Sequence, residues 1–475
     1  MKSSIETSFL NSALTLQNQF IDIPGILEWV SKRRHDVKVD VTRLRFDEMT
    51  DWEFDSGTGD IKHKSGKFFS IEGIRVKTNG TNISEWDQPI INQPEIGFLG
   101  IITKKFNNVL HFLMQTKIEP GNINYVQISP TLQATKSNYT KVHKGNTPHY
   151  LEYFNGDKMC KKHILLDQLQ SEQGARFIKK RNRNIIIEVE DDVEAYEDFQ
   201  WLTLGQIKEL LTEENLVNMD TRTVISGIPF GQYQRKVSNV YRSLAGVHSD
   251  FSEYGIEFLI SSIDSETYLY DTEEIISWIT SLKCKYELEI LPIGLKNVHD
   301  WYIEADRIRH KDDKYFTVFP VRAEIANREV KTWVQPIVES AQEGIIAFVV
   351  KKIKGVFHLL IQAKLEAGNF DIIELAPTVQ CLTGNYKLVN KPPFLDYVLK
   401  AKPSEIIFDT YQSEEGGRFY REQNRNLIIV ADENIELELP ENYIWMTLNQ
   451  INKFITFNNY INIQARSLLS AIKFI

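Results

Sequence analysis

Two short blocks of this sequence combine residue types that move protons and bind phosphates. QSEQGARFIKKRNRN (Gln170–Asn184) carries Glu172, Gly174, Arg176 and Arg183. QSEEGGRFYREQNRN (Gln412–Asn426) repeats the pattern with Glu414, Glu415, Gly416, Arg418 and Arg425. Sheltered carboxylates transfer protons or hold hydroxyl groups. Planar guanidinium groups suit the paired oxygens of a diphosphate, and glycine lets a backbone approach a ligand closely. Either block alone reads more plainly as a helix cap with surface ion pairs. Two copies that keep Phe177/Phe419 and Asn-Arg-Asn in register favour a site.

A second pair of segments supports this. KKFNNVLHFLMQTKIE (Lys104–Glu119) and KKIKGVFHLLIQAKLE (Lys351–Glu366) agree at eight of sixteen positions. Side chains alternate faces along a strand, so His111, Leu113, Gln115, Lys117 and Glu119 share one face. His358, Leu360, Gln362, Lys364 and Glu366 repeat it. The polar identities persist while the apolar ones drift, which points to a polar cavity floor rather than a solvated face. Thr131–Tyr139 (TLQATKSNY) matches Thr378–Tyr386 (TVQCLTGNY), and Trp86, Gln88 and Pro89 match Trp333, Gln335 and Pro336. Near these blocks Trp86, Tyr139, Trp333, Tyr386 and Tyr420 could stack on a base.

These correspondences, with WLTLGQI (Trp201–Ile207) against WMTLNQI (Trp445–Ile451), hold order and spacing over some two hundred residues of each half. The chain is therefore a tandem duplication: a first repeat over 1–226, a connector over 227–271 in which Val237–Leu244 could be helical, and a second repeat over 272–475. Helical spacing marks Ile26–Arg33, Leu204–Leu211, Ile275–Leu282 and the stretch after Leu448. Strand patterns mark Phe68–Val76, Ile96–Lys104, Val109–Ile118, Tyr125–Ser129 and Asn184–Val189. Gly121-Asn122 and Gly368-Asn369 have the residue types of a hairpin turn with positive φ. The fold class expected is α+β, each repeat a mixed sheet flanked by helices.

Composition narrows the function. In 475 residues, 64 acidic against 55 basic side chains give a net charge of −9, which disfavours a wide nucleic-acid surface. Cys160, Cys284 and Cys381 lie far apart, so neither a disulfide framework nor a zinc ribbon is expected. No apolar run approaches the ~20 residues that span a bilayer, and the expectation is a soluble, cytoplasmic protein. Phosphate-loop, dinucleotide-binding, H-E-x-x-H and G-x-S-x-G motifs are absent, so no cofactor and no metal are expected.

With QSEQGARF…NRN and QSEEGGRFY…NRN, the Q-x-K-x-E strand and the W-x-T-L-x-Q-I helix all occurring twice, the chain resembles the NDP-hexose 2,3-dehydratases over nearly its whole length. The resemblance implies two Nudix-like domains, a homodimer, and a dTDP-sugar pocket in each repeat, one of them catalytic. Neither repeat carries the R-E-x-x-E-E core of metal-dependent Nudix hydrolases. It further implies removal of the C2 hydroxyl of a dTDP-4-keto-6-deoxy sugar after C3 proton abstraction, and a downstream 3-ketoreductase for the unstable product. Under it Glu414, Glu415, Tyr420 and His358 are the proton-transfer candidates. Lys364, Gln362 and Gln380 would hold O4 or hydroxyls, and Arg418 and Arg425 the diphosphate. Trp333 and Tyr386 complete the second pocket. In the first repeat Arg176, Arg183, Glu172, Gln115, Lys117, Tyr139 and Trp86 play the matching parts, and the second pocket is favoured for catalysis. A nucleotide-sugar hydrolase and a non-catalytic nucleotide-sugar binder remain open as alternatives.

Overall fold

The computed structural model describes residues 5–135, 147–155, 163–231, 252–326, 330–382, 391–432 and 438–475. The chain is α+β; among the described residues two seven-stranded and two five-stranded sheets are flanked by helices. In the first large sheet Gly97–Phe106 pairs antiparallel with Val109–Ile118 and parallel with Arg181–Glu188, so the sheet is mixed. The second large sheet repeats this with Gly344–Ile353, Val356–Lys364 and Gln423–Val430.

Alternation decides what each strand buries. Phe112, Met114 and Ile118 enter the main apolar core, while Leu113 packs on the opposite face with Trp201 and Ile185. The W-x-T-L-x-Q-I motif is a helix start. Thr203 and Gln206 form a capping box on Leu204–Leu210, as Thr447 and Gln450 do on Leu448–Ile455. Each glutamine also donates to the entry segment of its own repeat, Gln206 to the Ile21 carbonyl at 2.8 Å and Gln450 to that of Tyr270 at 2.7 Å.

The small sheets are not each built from one repeat. Val39–Arg43, early in the chain, pairs with Phe316–Ile325 of the second repeat, and Leu288–Pro292 pairs with Ser70–Thr78 of the first. The repeats thus exchange one strand each, a reciprocal contact of the kind made by two-fold partners. A shared apolar cluster lies between them, with Phe177 and Phe419 ring to ring at 5.8 Å.

Within the segment 227–271, Val237–Leu244 lies outside the described residues. Its later part forms the helix Glu253–Ile263, the counterpart of Ile5–Ala13. Ser12 Oγ donates to the Leu110 carbonyl and accepts from Leu204 N–H; Ser261 Oγ does the same with Phe357 and Leu448.

The hairpin after Val109–Ile118 forms, pairing with Val126–Ser129, but Gly121 is not its positive-φ residue. Tyr125 is, with φ 59°. Gly121 is required for another reason: its N–H donates to the Gly416 carbonyl at 2.7 Å, and a Cβ there would overlap the Phe419 carbonyl oxygen. Gly368 meets Gly174 and Phe177 in the same way. A Cβ on Gly174 or Gly416 would run into Asn369 or Asn122 respectively. These glycines are spent on the close approach of the repeats, which corrects both the turn reading and the ligand-approach reading.

Candidate active site

The close approach lays each Q-S-E-x-G turn over the large sheet of the other repeat. A cavity of about 400 Å³ results on the first repeat's sheet. Its floor comes from the polar strand face and its neighbours, Lys117, Glu119 and Gln133, and one wall from Glu172, Lys180 and Asn182. The opposite wall is the second repeat's Glu415, Gly417 and Arg418, with Trp333 and Gln335 beside them. Hence the reading that divides the pockets repeat by repeat needs correction, since both repeats build this one.

Hydrogen bonds hold the polar groups in place. Lys117 Nζ donates to the Gln133 carbonyl at 3.1 Å, and Gln133 Nε2 to Glu119 Oε1 at 2.9 Å. Asn182 Nδ2 donates to Glu172 Oε1 at 2.6 Å, and Lys180 Nζ to the Glu95 carbonyl. Across the cavity Trp333 Nε1 donates to Gln335 Oε1, and Gln335 Nε2 to the Gly417 carbonyl. The Arg418 guanidinium lies 4.1 Å from the centre of the Phe69 ring, a cation–π contact that orients it.

Burial sets the electrostatics. It pushes the Lys180 ammonium down to about 8, opposed by Glu172 and Glu95. Burial, then the nearby Glu119 carboxylate, pushes Glu415 up to about 8 against the pull of Arg418. Glu172 is also raised, by burial, with Lys180 opposing. A lysine and a carboxyl that titrate near neutrality from facing walls are suited to proton transfer.

The matching place on the second repeat's sheet keeps the frame and changes the groups. Lys364 donates to the Gln380 carbonyl and Gln380 to Glu366. Here Gln173 stands for Glu415 and donates to Glu414, which Asn424 also holds. Glu422 stands for Lys180 and Gln464 for Asp220. Burial, then Glu422, raises Glu414 to about 7. Burial lowers Arg176, opposed by Glu422 and Glu366; it lies 4.3 Å from the centre of the Phe316 ring, as Arg418 does over Phe69.

Of the residues singled out from sequence, the cavity collects Glu172, Lys117, Trp333, Glu415 and Arg418. Others serve elsewhere. Arg183 and Arg425 grip Asp167 and Asp409 on the adjacent strands in bidentate pairs of 2.6–2.8 Å, and neither lines the cavity. His358 is fully buried; its Nε2 accepts from Leu269 N–H and its Nδ1 sits 2.9 Å from the Val356 carbonyl. Tyr420 packs on Phe319. Gln115 and Gln362 do not line the cavity, and Trp86 donates to Gln88 in the same way that Trp333 does to Gln335. Tyr139 and Tyr386 lie outside the described residues. The reading from sequence placed Glu119 on the cavity floor, and it missed Lys180, Gln133 and Asp220 as cavity groups. A charge reversal between repeats, Lys180 against Glu422, and the change of Asp220 to Gln464 would have signalled two of them.

Comparison with known proteins agrees with the duplication. The sequence pattern of the NDP-hexose 2,3-dehydratase family matches residues 24–228 and again 272–472. A Saccharopolyspora spinosa protein named dTDP-4-dehydro-6-deoxy-alpha-D-glucopyranose 2,3-dehydratase is 42% identical over 467 residues, covering 98% of this chain and 94% of its own length. Proteins of the same name are each 40% identical. That from Streptomyces violaceoruber covers 95% of this chain and 97% of its own, and that from Amycolatopsis orientalis 97% and 92%. The chain belongs to the NDP-hexose 2,3-dehydratase family.

Proposed function

We propose that this protein removes water across C2 and C3 of dTDP-4-keto-6-deoxy-D-glucose in deoxysugar biosynthesis, and that the cavity on the first repeat's sheet is where it does so. One observation carries the reading: Lys180 and Glu415, from opposite repeats, face one cavity and both titrate near 8. In such a sugar the C4 carbonyl acidifies the C3 proton. Lys180 in its neutral form takes that proton, and the protonated Glu415 carboxyl donates to O4 as the enolate forms. Expulsion of the C2 hydroxyl then gives an enol that settles as the 3-ketone, a 3,4-diketo-2,6-dideoxy sugar. No electrons leave the substrate, so this chemistry calls for no redox partner.

Arg418 is the cation we assign to the diphosphate, and Trp333 the ring we assign to the base or its ribose. The Nudix-like kinship of each repeat, a second nucleotide-sugar pocket, a homodimer, a downstream 3-ketoreductase and a cytoplasmic location belong to the same proposal. So does the division into repeats at 1–226 and 272–475. Among the described residues no helix is long and apolar enough to cross a membrane.

The test is incubation with dTDP-4-keto-6-deoxyglucose, with and without a 3-ketoreductase and NADPH, followed by mass spectrometry. Loss of one water, trapped as a reduced 2-deoxy sugar nucleotide, is expected. Substrate that binds yet stays intact, or that is cleaved at the diphosphate, would overturn the reading.

A further inference from the structure

Asp220 opens the helix Met219–Ser226 and lines the cavity beside the groups already described. It is only 2% exposed, and its Oδ1 has no hydrogen-bond partner. The residues around it explain why its partner is missing. Asn218, the helix cap, donates to Gln133 Oε1 and accepts from Thr221 N–H. Arg222 turns away to the Ser413 and Asn218 carbonyls. The charges that face Asp220 are Glu415, Glu172, Glu119 and Lys117, with Arg222 on its own helix.

A carboxylate in the first turn suits any helix when ionised, but burial and then the surrounding Glu415, Glu172 and Glu119 push this one well above the ordinary carboxyl range. That shift favours its acid form, in a side chain that lines the cavity and whose buried Oδ1 has no partner. The second repeat has an equivalent helix, Ile463–Ser470, and places Gln464 at this position. The helix therefore does not need a carboxyl there. The cavity is the feature that accounts for it.

We propose that Asp220 is the acid that protonates the departing C2 hydroxyl. The inference rests on the dehydratase reading. The base takes the C3 proton, and its electron pair forms the C3=C4 enolate on O4. When that pair returns, C2=C3 forms and the C2–O bond breaks; the leaving oxygen takes the Asp220 proton and departs as water. The enol then passes its hydroxyl proton to the Asp220 carboxylate while C2 takes the proton held by the base. Both groups return to their starting states and one water is lost.

The experiment compares wild type with Asp220→Asn and Asp220→Gln, the latter copying the second repeat. Wild type must first turn over the 4-keto-6-deoxy substrate; if it binds without reaction, the dehydratase reading itself has failed. With wild type active, both variants should bind dTDP normally and lose water elimination by roughly 100- to 10,000-fold. They should still exchange the C3 hydrogen with D2O, because the base is intact. A 2-deoxy-2-fluoro analogue needs far less acid assistance, so its elimination should remain within about tenfold of wild type. Variants that dehydrate normally would overturn the proposal. So would variants that bind yet lose exchange and fluoride release together, since those losses would place Asp220 at the proton-abstraction step.

Discussion

The cavity on the first repeat's sheet and its counterpart on the second share one frame: a lysine held by a glutamine carbonyl, that glutamine held to a glutamate, and an arginine over a phenylalanine ring from the other repeat. They differ in where the ionisable groups find partners. In the first, Asp220 keeps an oxygen with no partner, and Lys180 donates to the Glu95 carbonyl and faces Glu172. In the second, Gln173 satisfies Glu414, and Arg176 faces Glu422. Duplication thus preserved the scaffold while substitution at three positions set Lys180, Glu415 and Asp220 in one place and Glu422, Gln173 and Gln464 in the other.

The largest effect should separate the two places outright. Lys180→Met is expected to lower turnover by roughly 100- to 10,000-fold. Glu422→Gln, the mirror change, should leave turnover within about threefold and act on stability through Arg176. Initial rates in the reductase-coupled assay decide this, and equal losses would mean that both places react.

The glycines at the crossing test whether the two places depend on each other's turn. Gly121→Ala and Gly368→Ala each force a methyl onto a carbonyl of the other repeat. Each should cost about 1–3 kcal/mol or more in chemical denaturation. Gly121→Ala should also depress turnover, since it displaces the turn carrying Glu415 and Arg418. Equal activity losses would mean that the turn over the second sheet matters as much.

A smaller difference concerns pH. Glu374, which accepts from Ser171 Oγ at 2.7 Å, is raised by burial to about 8, where the first repeat has Gln127. The folded protein then keeps a proton that the unfolded chain releases near pH 4.5. This contribution to stability is complete below that pH and is lost as pH rises toward 8. Glu374→Gln should flatten the fall in Tm over that window, by up to roughly 1.4 kcal/mol per pH unit in stability. An unchanged slope would show that Glu374 is ionised in the fold.

The smallest effect is expected at Arg183. Its pair with Asp167 is partly exposed, so Arg183→Ala should cost less than about 1 kcal/mol. The dTDP affinity should not change, as judged by calorimetry. A large loss of affinity would return Arg183 to the diphosphate.

How much of this was readable in the chain follows from what each residue needs. The alternation in Val109–Ile118 sorts Lys117 and Glu119 onto one face, because strand geometry is local. The duplication exposed the blocks that form the site, since the spacing survives divergence. Register across strands is not local: Arg183 reads as a free guanidinium until the pairing, with Leu169 opposite it, brings Asp167 diagonally within reach. The strand exchange is equally invisible, as an alternating pattern says which face is buried and not which chain segment supplies the neighbour. Gly121 has the composition of a turn and the job of a contact between repeats, and sequence alone does not tell those apart. Asp220 has the composition of an ordinary helix start.

The exchanged strands bear on how the protein is made. The edge of Ser70–Thr78 that receives Leu288–Pro292 is synthesised long before its partner. At ribosomal rates of about 5–20 residues per second, the wait is on the order of 10–40 seconds. During that time the nascent first repeat shows an unpaired sheet edge and half of a shared apolar cluster, the features that invite pairing with the wrong chain. Synonymous changes that slow translation between residues 227 and 288 should therefore lower the yield of soluble protein, while the same slowing before residue 39 should not.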